Sequence, residues 1–345
     1  MAFCIVDAED EENWCWFFQH LSQILDADRV ISFISDRNYG LIQSIPKIFP
    51  TSHHAFCLEH LKRNLRDKFS GSGCSYPFRE RIVFLFGECA KAPTMKSFHY
   101  RLNELLNEGK DMLRDFIKYL PFHHWSSVYF RGNKYGEMSS NAAESFNAWI
   151  AKAPHLPITN LVDDIRLKIM EQMSNRRKEG SVWNNEGICP EMNRRLEMAF
   201  NTGRTWTIST SSEYVFQVNA EKTVTVDLLD RTCSCGYWQI NGLPCAHVVT
   251  AIAKSGLNLK SYVDRYFHVE SYCDSYALSI FPVPTIEMPE SSDVNCVIMP
   301  PSTKKAPGRP RERRLRSRGE DIRKMKCSRC KKYVRHNRRT CNEAV

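Results

Sequence analysis

A chain of 345 residues, 42% of them hydrophobic, is long enough for two or three modules and too apolar to be disordered throughout. Its first twenty residues are acidic and lack the basic start of a secretory signal, and no run reaches the ~18 apolar residues of a membrane helix, so neither secretion nor membrane insertion is expected. The net charge of +9 is concentrated at one end: residues 301–345 carry 17 Lys and Arg against 4 Asp and Glu, or +13, which leaves 31 against 35, or −4, for residues 1–300.

Residues 1–75 alternate strand and helix signals. A short strand is predicted at 3–6, then an acidic stretch containing Asp7, then an amphipathic helix with Trp14, Phe17, Phe18, Leu21 and Leu25 at helical spacing. The β-rich run 29–36 ends on Asp36. A short helix is predicted at 41–48, kinked or stopped at Pro46, followed by a strand at 53–57 and a basic helix at 58–69. Such alternation predicts an α/β unit with a mainly parallel sheet. Cys57 and His60 form a Cys-x2-His pair with no second pair nearby in sequence, which favours a packing or DNA-facing structural role over half of a metal site.

Residues 76–139 read as a helical insertion, with Leu102, Leu105, Leu106, Met112, Phe116 and Leu120 as its buried stripe. In the helical segment 140–200, Ser140 is a good N-cap that puts Glu144 in the first turn of a helix, and a longer helix is predicted from Ile158 to Arg177. From 205 to 230 the period switches to that of strands.

The module 205–280 contains the strongest chemical signal. Cys233 and Cys235, nine residues, then Cys245 and His247 are four ligands of the kind Zn2+ prefers, as two short pairs brought together by a loop. Residues two apart do not share a helix face. Cys245, just after Gly242 and Pro244, is therefore expected in a turn, with His247 in the first turn of the helix that Val248 continues.

Residues 281–320 lose periodicity and read as a basic linker. Within it Lys304, Lys305, Arg309, Arg311, Arg313 and Arg314 surround a Gly308-Arg309-Pro310 core that resembles an AT-hook, whose Arg inserts into a narrow A·T minor groove. Pro307 stands where a hook has Arg, so a plain nuclear-localisation run is equally open. Residues 321–345 hold Cys327, Cys330, His336 and Cys341, the spacing of a CCHC zinc knuckle, whose folding free energy comes from the metal. Two structural zinc ions are expected. Fourteen cysteines in a chain of this size fit metal binding in a reducing compartment better than a disulfide scaffold. The basic end suits DNA, where displaced counterions supply sequence-independent affinity.

The order of these motifs resembles that of the plant Mutator-like element transposases and their domesticated relatives, the far-red-impaired-response regulators. Asp36, the Cys57–His60 pair, the Asn141–Asn147 stretch carrying Glu144, the SWIM-type finger at 233–247 and a terminal CCHC knuckle follow in family order. The resemblance implies an RNase H-like core in which two Asp and a Glu hold two Mg2+ ions. Asp36 matches the second carboxylate and Glu144 the third. The first would lie on a strand upstream of residues 1–10, and Asp7 corresponds to the third strand instead. The chain is thus expected to be N-terminally truncated and to lack a carboxylate that a two-metal site is hard put to replace, with Mg2+ relevant only if activity persists. The strand at 29–36 is also expected to have an unpaired edge that invites another chain.

The expected fold is α/β: a partial RNase H-like core with a mainly helical insertion, a small α+β SWIM zinc finger module and a disordered basic tail with a zinc knuckle. The expected function is that of a transposase-derived, zinc-binding nuclear protein that binds DNA and does no chemistry. Two other readings stay open: an active transposase whose missing Asp comes from upstream sequence or another chain, and a protein-interaction module that does not bind DNA. A protein partner or homo-oligomer is compatible with the sequence; no small-molecule substrate is evident.

Overall fold

The computed structural model describes residues 2–6, 8–25, 30–150, 158–283, 325–334 and 341. Asp7, Lys304, Lys305, Arg309, Arg311, Arg313, Arg314 and His336 lie outside the described residues, as does most of the linker and tail expected to be disordered, of which 281–283, 325–334 and 341 are described. In chain order the elements are α1 (Glu11–Ser22), β1 (Ser32–Ser35), α2 (Tyr39–Ile48), β2 (His53–Phe56), α3 (Leu58–Gly71), α4 (Tyr76–Ala90), α5 (Met95–Ile117), α6 (Asn141–Trp149), α7 (Ile158–Ser181) and α8 (Pro190–Gly203). Then come β3 (Thr207–Thr210), β4 (Val215–Asn219), β5 (Thr223–Asp227), β6 (Thr232–Cys233), α9 (Tyr237–Asn241), α10 (Ala246–Ser255), α11 (Val269–Tyr276), β7 (Met325–Lys326) and β8 (Tyr333–Val334). They divide into two compact units, one with α1, α2 and the β7–β8 hairpin, the other with the remaining elements.

In the smaller unit, Asp10 caps α1 by accepting from the Asn13 amide at 3.0 Å, and Asn38 caps α2 by accepting from the Gly40 amide at 2.7 Å. Trp14 stacks on Phe18 at 5.5 Å, and Phe18 meets Phe49 edge-on at 5.9 Å. Gly40 lets α2 approach α1: a Cβ there would stand 2.7 Å from the Asp10 carbonyl carbon. Pro46 neither stops nor ends α2, which runs to Ile48 because a proline in the last turn removes only one hydrogen bond. Residues 3–6 are not a strand: a strand needs a ladder, and among the described residues nothing pairs with them.

In the larger unit β1 and β2 pair in parallel, Ser32 opposite His53 through Ser35 opposite Phe56. This agrees with the expected parallel pairing, although of the described residues in the run predicted from 29 to 36 these four alone are strand. The chain then enters α3, which buries Leu58, Leu61, Leu65 and Phe69 at steps of three and four. Thr94 and Ser97 form a capping box at the start of α5. Lys110 breaks the helical conformation of α5 with φ 47° and ψ −141°. The buried face nevertheless keeps its spacing across the break, through Phe98, Leu102, Leu105, Gly109 and Leu113; Leu120 is buried beyond the helix, whereas Leu106, Met112 and Phe116 flank that face and are only partly covered. Phe86 stacks on the fully buried Trp125 at 4.8 Å, and the Trp125 indole donates to the Leu120 carbonyl at 3.1 Å. Ser140 is the N-terminal flank of α6 but its side chain makes no capping bond. The second predicted helix, α7, runs four residues further than expected, to Ser181.

The strands β3–β6 form an antiparallel meander in sequence order. Its inward residues Phe216, Val218 and Val226 pack against Trp238 of α9 and Val248, Ala251 and Ile252 of α10. Leu196 of α8 closes on the other side of α10 through Val249 and Val263. Among the described residues no helix is long and apolar enough to cross a membrane.

Candidate metal centres

The four residues singled out by spacing meet at one point. β6 delivers Cys233, whose amide donates to Gln239 Oε1 at 3.3 Å, while Gln239 Nε2 donates back to the Cys233 carbonyl at 3.0 Å. The chain then turns through Gly236 at φ +78°, where a Cβ would lie 2.0 Å from the Pro93 carbonyl oxygen, so only glycine fits. A second left-handed glycine, Gly242 at φ +66°, ends α9 and returns the chain to Cys245. Cys245 is the N-terminal flank of α10 and His247 lies in its first turn, as expected from the spacing.

Cys235 Sγ lies 3.6 Å from Cys245 Sγ; His247 Nδ1 lies 3.7 Å from Cys245 Sγ and 3.9 Å from Cys233 Sγ. A tetrahedral Zn2+ with Zn–S of about 2.3 Å and Zn–N of about 2.0 Å needs its ligand atoms about 3.5–3.8 Å apart, so the donor set fits the ion in both chemistry and spacing. Nδ1 is the ring nitrogen turned inward. Trp206 stacks on the ring at 4.8 Å and 19° and fixes its orientation. With the sulfurs this close, the Cys235 thiol is held low by hydrogen bonds from Cys233 and Cys245, while close neighbouring thiols push the Cys233 and Cys245 thiols up. A metal that takes all three as thiolates relieves that competition.

In the smaller unit Cys327, Cys330 and Cys341 also converge, their sulfurs within 4.8 Å of one another. The β7–β8 hairpin forms this corner: the Cys327 amide donates to the Lys332 carbonyl at 2.9 Å and the Lys331 amide to the Cys327 carbonyl at 2.8 Å. Burial opposes ionisation of Cys327, but hydrogen bonds from the amides of Cys330 and Arg329 and from neighbouring thiols bring it down to about 6. The knuckle's fourth expected ligand, His336, lies outside the described residues.

A third cluster joins residues that are far apart in sequence. Cys57 follows β2 directly, and its amide donates to the Ser35 carbonyl at 2.6 Å, next to Asp36. The Leu58 amide donates to the Met138 carbonyl at 2.7 Å and the Ser140 amide to Cys57 Sγ at 3.3 Å, which holds the start of α6 against the start of α3. Glu144 thereby reaches His60, with Oε1 3.8 Å from Nδ1, and the ligand atoms of Cys57, His60 and Glu144 all lie within 4.8 Å of one another. Burial pushes the Cys57 thiol up, but the hydrogen bond from Ser140, with the nearby backbone and ring of His60, outweighs it and holds the thiol below its ordinary value. Asp36 belongs to none of the clusters of three or more such residues among the described residues. Spacing alone gives no sign of Glu144 near Cys57, because the partner arrives by tertiary contact.

Residues 216–256 match the SWIM zinc finger family, and residues 1–64 match the MULE transposase domain. The chain is similar to the Arabidopsis thaliana protein FAR1-RELATED SEQUENCE 12, with 19% identity over 301 residues that cover 77% of this chain and 37% of the relative. The chain therefore spans little more than a third of the length of that curated relative. No solved structure matches it.

Proposed function

We propose that this chain, which belongs with the plant Mutator-like transposase-derived proteins of the FAR1 type, is a nuclear DNA-binding protein in which zinc is structural. The observation that carries the reading is the charge division: +13 over residues 301–345 beside a body of −4, in a chain whose relatives derive from enzymes that handle DNA. A cationic segment of this kind binds phosphates by releasing counterions. Arg309, Arg311, Arg313 and Arg314, with Lys304 and Lys305, supply those contacts. The finger at Cys233, Cys235, Cys245 and His247 has four protein ligands and no open position, which suits a scaffold rather than a catalyst. A second zinc completes the knuckle at Cys327, Cys330, His336 and Cys341. Residues 1–75 supply the partial RNase H-like core, and the helical segment 140–200 its third acidic position. Asp36 and Glu144 hold the family's second and third carboxylate positions but no Mg2+-dependent chemistry, since Glu144 is grouped with a thiol and an imidazole rather than with other carboxylates.

The test is DNA binding by the full chain across a salt series. Replacing Arg309, Arg311, Arg313 and Arg314 with Gln should weaken binding to any duplex and flatten the slope of log K against log salt by about 3–4, at about 0.9 for each phosphate no longer neutralised. An unchanged slope overturns the reading. Cleavage of DNA that needs Mg2+ and disappears in Glu144→Gln would restore the enzymatic alternative.

A further inference from the structure

The cluster at Cys57, His60 and Glu144 shares no residue with either zinc motif or with the basic segment proposed to bind DNA. Three observations bear on what it does. First, the His60 Nδ1 atom is buried and has no hydrogen-bond partner, although a buried polar atom left unpaired is costly. Second, Glu144 Oε1 faces that nitrogen at 3.8 Å, too long for a hydrogen bond and close to the roughly 3.4 Å that separates nitrogen and oxygen ligands on one tetrahedral ion. Third, Cys57 is fully buried and its Sγ already accepts the Ser140 amide, the kind of outer contact that orients a thiolate ligand.

We propose that Cys57, His60 and Glu144 form a metal centre of their own, open at one position, that takes zinc or a similar transition ion and not magnesium. The donor set decides the metal. Mg2+ asks for six oxygens in near-octahedral array, whereas one sulfur, one imidazole nitrogen and one carboxylate oxygen suit Zn2+ or Co2+. Cys57 and His60 lie at i and i+3 around the first turn of α3, so one ion can reach both from one side. Glu144 comes from α6 and completes the third corner, its side chain 47% exposed, so the open position faces solvent there and admits water or an anionic oxygen such as that of phosphate. The site stands at the carboxyl end of β2, beside the end of β1, which is where parallel α/β sheets place their ligands.

Metal analysis of the purified full chain tests the assignment, with Cys245→Ser as the control that damages the finger alone. His60→Ala should carry one zinc fewer than the wild type. Glu144→Gln should bind that zinc at least about tenfold more weakly. Cys245→Ser should lose a different zinc and keep this one. Titration of Co2+ into the metal-free chain should show one sulfur-to-cobalt step that is absent from His60→Ala and present in Cys245→Ser. Glu144→Gln changes a half-exposed side chain, so it decides the matter if His60→Ala folds poorly. Equal zinc content and affinity in wild type, His60→Ala and Glu144→Gln overturn the proposal. So does a Glu144→Gln chain that loses Mn2+ or Mg2+ binding with its zinc untouched, since Glu144 would then serve a hard-cation site.

Discussion

The indole of Trp206 lies almost parallel to the imidazole of His247, ring centroids 4.8 Å apart and 19° from coplanar, and so aims Nδ1 at the three finger sulfurs. Trp206 touches no metal, yet it removes the rotational freedom that His247 would otherwise lose on binding one. Trp206→Ala should weaken zinc binding at the finger by about 10–100-fold, the range for outer-shell partners, and Trp206→Phe should recover most of it. Competition with a chromophoric chelator reads both numbers.

Two left-handed glycines separate strain from crowding. Gly256 ends α10 at φ +70° with open space for 4 Å around the point where a Cβ would stand, whereas Gly236 at φ +78° faces the Pro93 carbonyl oxygen at 2.0 Å from that point. Gly256→Ala should cost only the conformational term, about 1–2 kcal/mol. Gly236→Ala adds a collision with backbone that cannot swing away, and should cost at least twice as much. Urea unfolding of both variants gives the comparison.

The contrast between these sites explains what is legible in the residues alone. The finger's ligands fall within fifteen positions, and Gly and Pro fix the turn between them, so spacing implies the geometry that β6 and α10 realise. The five-residue α9 is not legible: it is too short to show a period, and its boundaries are two glycines whose left-handed φ values the sequence does not disclose. The Cys57, His60 and Glu144 cluster is equally hidden, because it is assembled by hydrogen bonds from Leu58 to Met138 and from Ser140 to Cys57. In α5 the stripe runs through Leu102, Leu105, Gly109 and Leu113, and Leu106 and Met112 sit on its flank; a glycine on the buried face is not a hydrophobic signal, so the pattern alone does not choose between neighbouring faces.

Two half-buried histidines give the larger unit an acid limit. His54 Nε2 pairs with Ser35 Oγ at 2.8 Å, and His124 Nδ1 meets the His54 carbonyl at 2.7 Å. Burial, with a further push from His124, lowers His54 from 6.5 to about 4, and burial lowers His124 too. As pH falls, the unfolded chain takes up the His54 proton first. The stability that the neutral ring supports is therefore complete above pH 6.5 and is lost between 6.5 and about 4, by at most about 3 kcal/mol. Chemical unfolding at stepwise pH should show this decline, and His54→Gln, which holds a neutral polar group at the same place, should flatten it.

Removing the metal should affect the two zinc motifs differently. The finger keeps an apolar core of its own, with Val218, Val226, Val248 and Ala251 all fully buried, and β4 and β5 are joined by a five-residue register. Among the described residues, the knuckle corner has a two-by-two-residue hairpin around its cysteines. Metal is therefore expected to supply most of the folding free energy of the knuckle but only the order of the ligand loop in the finger. After chelation, amides of β4, β5 and α10 should stay protected against hydrogen exchange, while those of 233–245 and 325–334 exchange freely. Cys245→Ser should reproduce the first loss without the second. If chelation exposes β4 and β5 as well, zinc holds the whole finger together and its apolar core is insufficient by itself.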